Sequence, residues 1–135
     1  MSKQKNDFTC ILYCDGGCNN HTHRGGYGSF AAVQQGSLIY HQARREYAEV
    51  ETSQEAEYQA LLDTLTWLQP RYDPYVWYRI WTDSRLLVNQ TCSYWQCHAP
   101  NLFDYLEQAQ TYLREMPTVK LAWTPRAEIV KILGH

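Results

Sequence analysis

Phe8-Thr9-Cys10-Ile11-Leu12-Tyr13-Cys14-Asp15-Gly16-Gly17 is an apolar run closed by one carboxylate and two glycines. Such a run predicts a strand over residues 8–15, buried on both faces. Gly16-Gly17 predicts its end, and residues 18–26, rich in Asn, His and Gly, predict a polar loop. Outward from there, residues 27–35 and 38–46 read as two more strands. The short link Gln35-Gly36-Ser37 makes them a β-hairpin. Arg44-Arg45-Glu46 places mixed charge at the far end of the second one, as suits an exposed edge.

Helices and strands then alternate. Thr52 is followed three residues on by Glu55, which is the spacing of a capping box. The helix it opens runs to about Gln69, where Pro70 stops it. Residues 75–82 form an aromatic and β-branched strand, and residues 84–91 a helix. A loop with Tyr94, Trp95, Cys97 and His98 follows, with Trp95 expected to pack into the core. Residues 101–116 form a helix with Leu102, Leu106, Ala109, Tyr112 and Leu113 on one stripe. Residues 119–123 are the last strand, before a short final helix. A hairpin followed by alternating helices and strands predicts an α/β mixed sheet with helices packed on it. The 135 residues are expected to form one domain, with residues 1–7 frayed.

The formal charge is −2. That disfavours tight holding of a nucleic acid by phosphate neutralisation alone. It does not disfavour a metal-dependent enzyme. No apolar run is long enough to cross a membrane, and the polar start is not a secretory signal, so the expected compartment is the cytoplasm. Five cysteines, an odd number, then read as reduced thiols. Cys14, Cys18, His21 and His23 form one group and Cys92, Cys97 and His98 another. Neither has the paired spacing of a structural zinc ribbon.

Three carboxylates stand apart. Asp15 and Asp83 each close an apolar strand. Taken singly, Asp15 suits a turn before Gly16-Gly17, and Asp83 suits the N-cap of the helix after it. Glu57 shares a helical stripe with Leu61, Thr64 and Leu68, beside Ala60 and Leu65. That stripe must face the sheet, so Glu57 points where a core residue belongs. Glu55 lies on nearly the opposite face. Carboxyl ends of parallel strands are where α/β sheets place functional groups. Three carboxylates meeting there repel unless a proton or cation intervenes. Hard oxygen ligands suit Mg²⁺ or Mn²⁺, and such a cluster suits two-metal phosphoryl chemistry.

These residues resemble a known family. Leu12-Tyr13-Cys14-Asp15-Gly16-Gly17 with Gly25-Gly26-Tyr27-Gly28 is similar to the opening of the type 1 ribonuclease H family. Thr52-Ser53-Gln54-Glu55-Ala56-Glu57-Tyr58-Gln59-Ala60-Leu61 resembles its second motif and Trp81-Thr82-Asp83-Ser84 its third. Residues 95–100, Leu102 and the helix with Glu107 and Ala109 resemble its middle region. Trp123-Thr124-Pro125-Arg126 resembles the start of its last motif. The resemblance implies a five-stranded mixed sheet of order 3-2-1-4-5, strands 1–3 antiparallel, with helices on both faces. It implies endonucleolytic cleavage of the RNA strand of RNA–DNA hybrids, with 5′ phosphates on the products. It implies two Mg²⁺ or Mn²⁺ ions, bound by Asp15, Glu57 and Asp83, and no organic cofactor. A monomer is expected.

Substrate contacts implied by the same resemblance fall on Thr52, Ser53 and Gln54, and on the backbone amides of Gly16 and Gly17 beside the RNA 2′-hydroxyls. Asn19, Asn20 and Arg85 are further candidates; turn residues and surface charge are their plainer readings. Tyr94 is a candidate for stacking on sugars or bases. A lysine-rich insertion for holding the hybrid is absent. The pattern breaks at the C-terminus, where the family carries a fourth acid. Ala127-Glu128-Ile129-Val130-Lys131-Ile132-Leu133-Gly134-His135 contains no aspartate. Three arrangements accommodate this. The site can run on three carboxylates, Glu128 or His135 can substitute, or the chain can bind without cutting. The expectation taken forward is a working enzyme assisted by His135. The alternatives are a nuclease of the same fold with another nucleic-acid substrate, and an impaired binding module.

Overall fold

The computed structural model describes residues 8–18 and 25–134. Its centre is one five-stranded sheet of β1 (Cys10–Cys18), β2 (Gly26–Gln34), β3 (Ser37–Tyr47), β4 (Tyr78–Thr82) and β5 (Val119–Trp123). The order across the sheet is β3-β2-β1-β4-β5. β1, β2 and β3 are antiparallel neighbours, whereas β4 pairs parallel with both β1 and β5. The helices are α1 (Ser53–Leu68), α2 (Arg85–Thr91), α3 (Phe103–Glu115) and α4 (Arg126–Leu133). The expected mixed sheet and hairpin are therefore present.

Alternation along β1 sorts the two faces. Cys10, Leu12 and Cys14 join Tyr58, Leu61, Leu65 and Leu68 of α1, Leu87 of α2 and Ala109 of α3 in the main core. Tyr13, with Ala31 and Trp81, meets Ile129 and Leu133 of α4 on the opposite face. Helices thus cover both faces, but unequally. α4 has only 8 residues, about 12 Å of helix, so Ile11 and Tyr13 stay half-buried. This corrects the expectation of a β1 buried on both faces. β3 is an edge, and most of its residues are exposed. Among the described residues, no helix is long and apolar enough to cross a membrane.

Further boundaries differ from the sequence reading. Gly16-Gly17 does not break β1, because Gly16 pairs with Gly28 and Gly17 with Tyr27 across the antiparallel ladder. Gly16 is needed for packing against backbone, whereas Gly17 meets a side chain. A Cβ on Gly16 would lie 2.3 Å from the Ala56 carbonyl oxygen, and one on Gly17 would lie 2.7 Å from the Tyr27 hydroxyl. β4 starts at Tyr78, not at residue 75, since Asp73 accepts from the Tyr75 and Val76 amides in a tight turn. α3 starts at Phe103, after a 3-10 turn at Pro100–Leu102. Trp95 is 51% exposed instead of core. Its amide and that of Tyr94 both close on the Asn89 carbonyl, and Ser93 has φ 63°. This turn directs the side chain outward.

Candidate active site

Register alone sets Asp15 level with Asp83. The last β1–β4 pair is Tyr13 with Trp81; Asp15 lies two residues further along β1, and Asp83 two residues further on, just past the end of β4. Beyond that pair the strands part. Asp15 is buried but still paired through the β2 ladder, opposite Ser29, so it is not a turn aspartate. Asp83 is not the N-cap of α2 either. That position belongs to Ser84, whose Oγ accepts the Leu87 amide at 3.1 Å. Asp83 is left free for other partners, and the Trp123 indole donates to its backbone carbonyl at 3.1 Å.

Glu57 arrives from α1. The capping box forms as expected, with Thr52 Oγ1 accepting the Glu55 amide at 3.1 Å and Glu55 Oε1 accepting the Thr52 amide at 2.9 Å. Glu55 is thereby committed to the helix end. Glu57, two residues on, is half-buried beside the two aspartates. Its carboxyl is pushed above the usual range, chiefly by burial and further by the charges of Asp83 and Asp15; a hydrogen bond from Ser84 opposes this. The Cys14 thiol beneath is also pushed up, by full burial first and then by Asp15, Asp83 and Glu57. Both shifts report the same thing: the three carboxylates share one electrostatic neighbourhood.

Among the described residues, one cation reaches into it. Arg126, the first residue of α4, places Nη1 3.1 Å from Asp83 Oδ2 and 3.5 Å from Asp15 Oδ2. Its pKa rises above the ordinary value, first through Asp15 and then through Asp83. Among the described residues, no group of three His, Cys, Asp or Glu side chains is set close enough to hold a metal ion as it stands. The chemistry of the donors nevertheless fits a hard divalent cation: three carboxylates, one end of the sheet, and a guanidinium occupying the place of positive charge.

The remaining predicted site residues are spread around this centre. Thr52 caps α1, with Ser53 and Gln54 exposed beside it. Gly16 lies against α1 and Gly17 against Tyr27. Arg85 is exposed and stacks on Trp123, its guanidinium carbon 4.2 Å from the ring centroid. Glu128 turns to Lys131 at 3.2 Å and shifts Tyr13, but does not figure among the charges acting on Glu57. Asn19, Asn20, His21, His23 and His135 lie outside the described residues. Arg126, Ser84 and Trp123 were not singled out for roles from sequence. For Arg126 the available signal was its place just after Trp123-Thr124-Pro125. For the other two it was their adjacency to Asp83 in sequence or through the paired β5.

A family model described as reverse transcriptase-like matches residues 13–130. No curated protein matches the chain. Solved structures do. An LC11 ribonuclease H1 isolated from compost, in complex with an RNA/DNA hybrid, is 22% identical, with 90% of this chain and 89% of that one covered at a TM-score of 0.79. The ribonuclease H1 of the halophilic archaeon Halobacterium salinarum is 20% identical, covering 89% and 88%, at 0.78. The N-terminal ribonuclease H domain of a Mycobacterium tuberculosis protein is 19% identical, covering 90% and 86%, at 0.78. Matched along most of its length, with the sheet order and strand directions of these neighbours, the chain belongs to the reverse transcriptase-like family and has the ribonuclease H fold.

Proposed function

We propose that the chain is a ribonuclease H that hydrolyses the RNA strand of an RNA–DNA hybrid with the help of divalent metal. The observation that carries this is the convergence of Asp15, Glu57 and Asp83 from β1, α1 and the end of β4, with none of them consumed by a cap or turn. Two of the neighbours of this fold support the substrate: they are ribonucleases H1, and one is seen with an RNA/DNA hybrid.

Asp15, Glu57 and Asp83 would hold Mg²⁺ or Mn²⁺, two ions in the full site. Bound there, the metal supplies the Lewis acidity that activates a water and offsets charge on the leaving 3′ oxygen. The chain's own residues do the rest. Ser84 fixes α2 by its cap and favours the ionised form of Glu57, so one side chain serves both the helix and the carboxylate. Trp123 ties the Asp83 backbone to β5 and carries Arg85 on its ring, an arrangement that presents a guanidinium to a phosphate beside the site. Ser53 and Gln54 offer polar groups at the rim, and the backbone of Gly16 and Gly17 would approach the RNA there. Asn19, Asn20 and His135 belong to the same proposal, His135 as a group assisting turnover.

A second reading, an impaired nucleic-acid binder, is favoured by one observation. Arg126 sits on the two aspartates that a metal would need. A cleavage assay separates the readings. RNA–DNA, RNA–RNA, DNA–DNA and single-stranded substrates are incubated with Mg²⁺ and with Mn²⁺. Cutting of the hybrid's RNA strand is the expected result, with 5′-phosphate products. A hybrid left intact in both metals sinks the enzyme reading, and preferred cutting of another duplex reassigns the substrate.

A further inference from the structure

We propose that Arg126 is a built-in counter-cation for the carboxylate site, and that a divalent ion binds by displacing its guanidinium. This rests on the metal-site reading above. One nitrogen, Nη1, serves Asp83 at 3.1 Å and Asp15 at 3.5 Å, so a single positive charge bridges acids from two strands. The side chains of Asp15 and Asp83 are only 4% and 18% exposed, which leaves little water to screen their repulsion. The Arg126 side chain is 57% exposed. It stands on the first residue of α4, where Pro125 precedes it. Its way out is therefore a rotation into solvent, with no core residue to move.

A guanidinium does not lose its charge in proteins. It therefore cannot make room by deprotonation, as a lysine can. Arg126 and a divalent ion bound to the same two oxygens exclude one another. The metal-free fold is protected from its own acids, and the metal must compete for them. Affinity for metal is accordingly lower than three bare carboxylates would give.

The test is Mn²⁺ titration by calorimetry on wild type, Arg126→Gln and Arg126→Lys at neutral pH, with melting curves in chelator and in saturating Mn²⁺. Arg126→Gln is expected to bind Mn²⁺ about fivefold to tenfold tighter, as loss of a partly exposed competitor implies. It is expected to melt lower than wild type in chelator and level with it in saturating Mn²⁺. Arg126→Lys, whose single ammonium is a point charge without the planar fork, is expected to bind about twofold tighter. If Arg126→Gln does not fold, the lysine variant decides alone. Wild type that binds Mn²⁺ while the variants bind equally or more weakly overturns the displacement and leaves the metal site standing. No Mn²⁺ binding by wild type or variant overturns the metal-site reading and the displacement with it.

Discussion

Helix α1 carries two buried or half-buried acids six residues apart, and they live in opposite circumstances. Asp63 is surrounded by donors. Tyr47 gives its hydroxyl proton at 2.6 Å, Arg45 a guanidinium nitrogen at 2.9 Å, and Gln59 and Gln42 their amides at 3.2 and 3.3 Å. The result is a knot between α1 and the edge strand β3. Glu57 instead has two like charges nearby, with the Ser84 hydroxyl opposing their effect. A buried acid with its lone pairs filled is an element of structure. An acid whose pKa is raised by neighbouring acids is held against their repulsion by the rest of the fold, and such sites are functional candidates.

The contrast can be broken by substitution. Asp15→Asn should lower hybrid cleavage at least about a hundredfold, since it removes charge where the reacting phosphate must be stabilised. Gel assays at saturating Mg²⁺ read this. Asp63→Ala should do the reverse. It strands the Tyr47 hydroxyl and the Arg45 charge, so urea denaturation should show a loss of about 2–3 kcal/mol, discounted for the exposure of Arg45. Cleavage per folded molecule should stay within about twofold of wild type. Equal effects of the two substitutions on activity would erase the distinction.

Glu57→Gln sharpens it by pH. Burial, Asp83 and Asp15 raise the Glu57 pKa, so ionising this group costs more in the folded protein than in the unfolded chain. That cost is fully present above the raised folded pKa and absent below the unfolded value of about 4.3. In chelator the variant should therefore melt about 2–4 °C higher near pH 7.5. The gain should shrink as pH falls and vanish near pH 4. A gain that persists at pH 4 would assign it to packing instead of charge.

Much of this was legible in the sequence because it was local. The Thr52–Glu55 box, the hairpin at Gly36 and the inward stripe of α1 depend on spacings of a few residues, and each formed as read. The choice of Glu57 over Glu55 followed from the same 3.6-residue period. What was misread depended on partners that no spacing reveals. Gly16-Gly17 looks like a stop until β2 is there to pair with it. Asp83 looks like a cap until Ser84 is seen to do that work. Trp95 looks like core until a turn closed on Asn89 throws it outward. Arg126 lies 43 residues from Asp83, and no periodicity links them.

The empty side chain of Gly16 has one more consequence. Its Cα faces the Ala56 carbonyl so closely that a methyl group would collide with backbone, which no rotamer change can relieve. Ala56 is the residue before Glu57, and Gly16 the residue after Asp15. The contact is thus a calliper: strand and helix close to their hard limit one residue away from each carboxylate. The width of the jaw between Asp15 and Glu57 is set by backbone touching backbone, so it is a dimension of the scaffold and not a choice of rotamers.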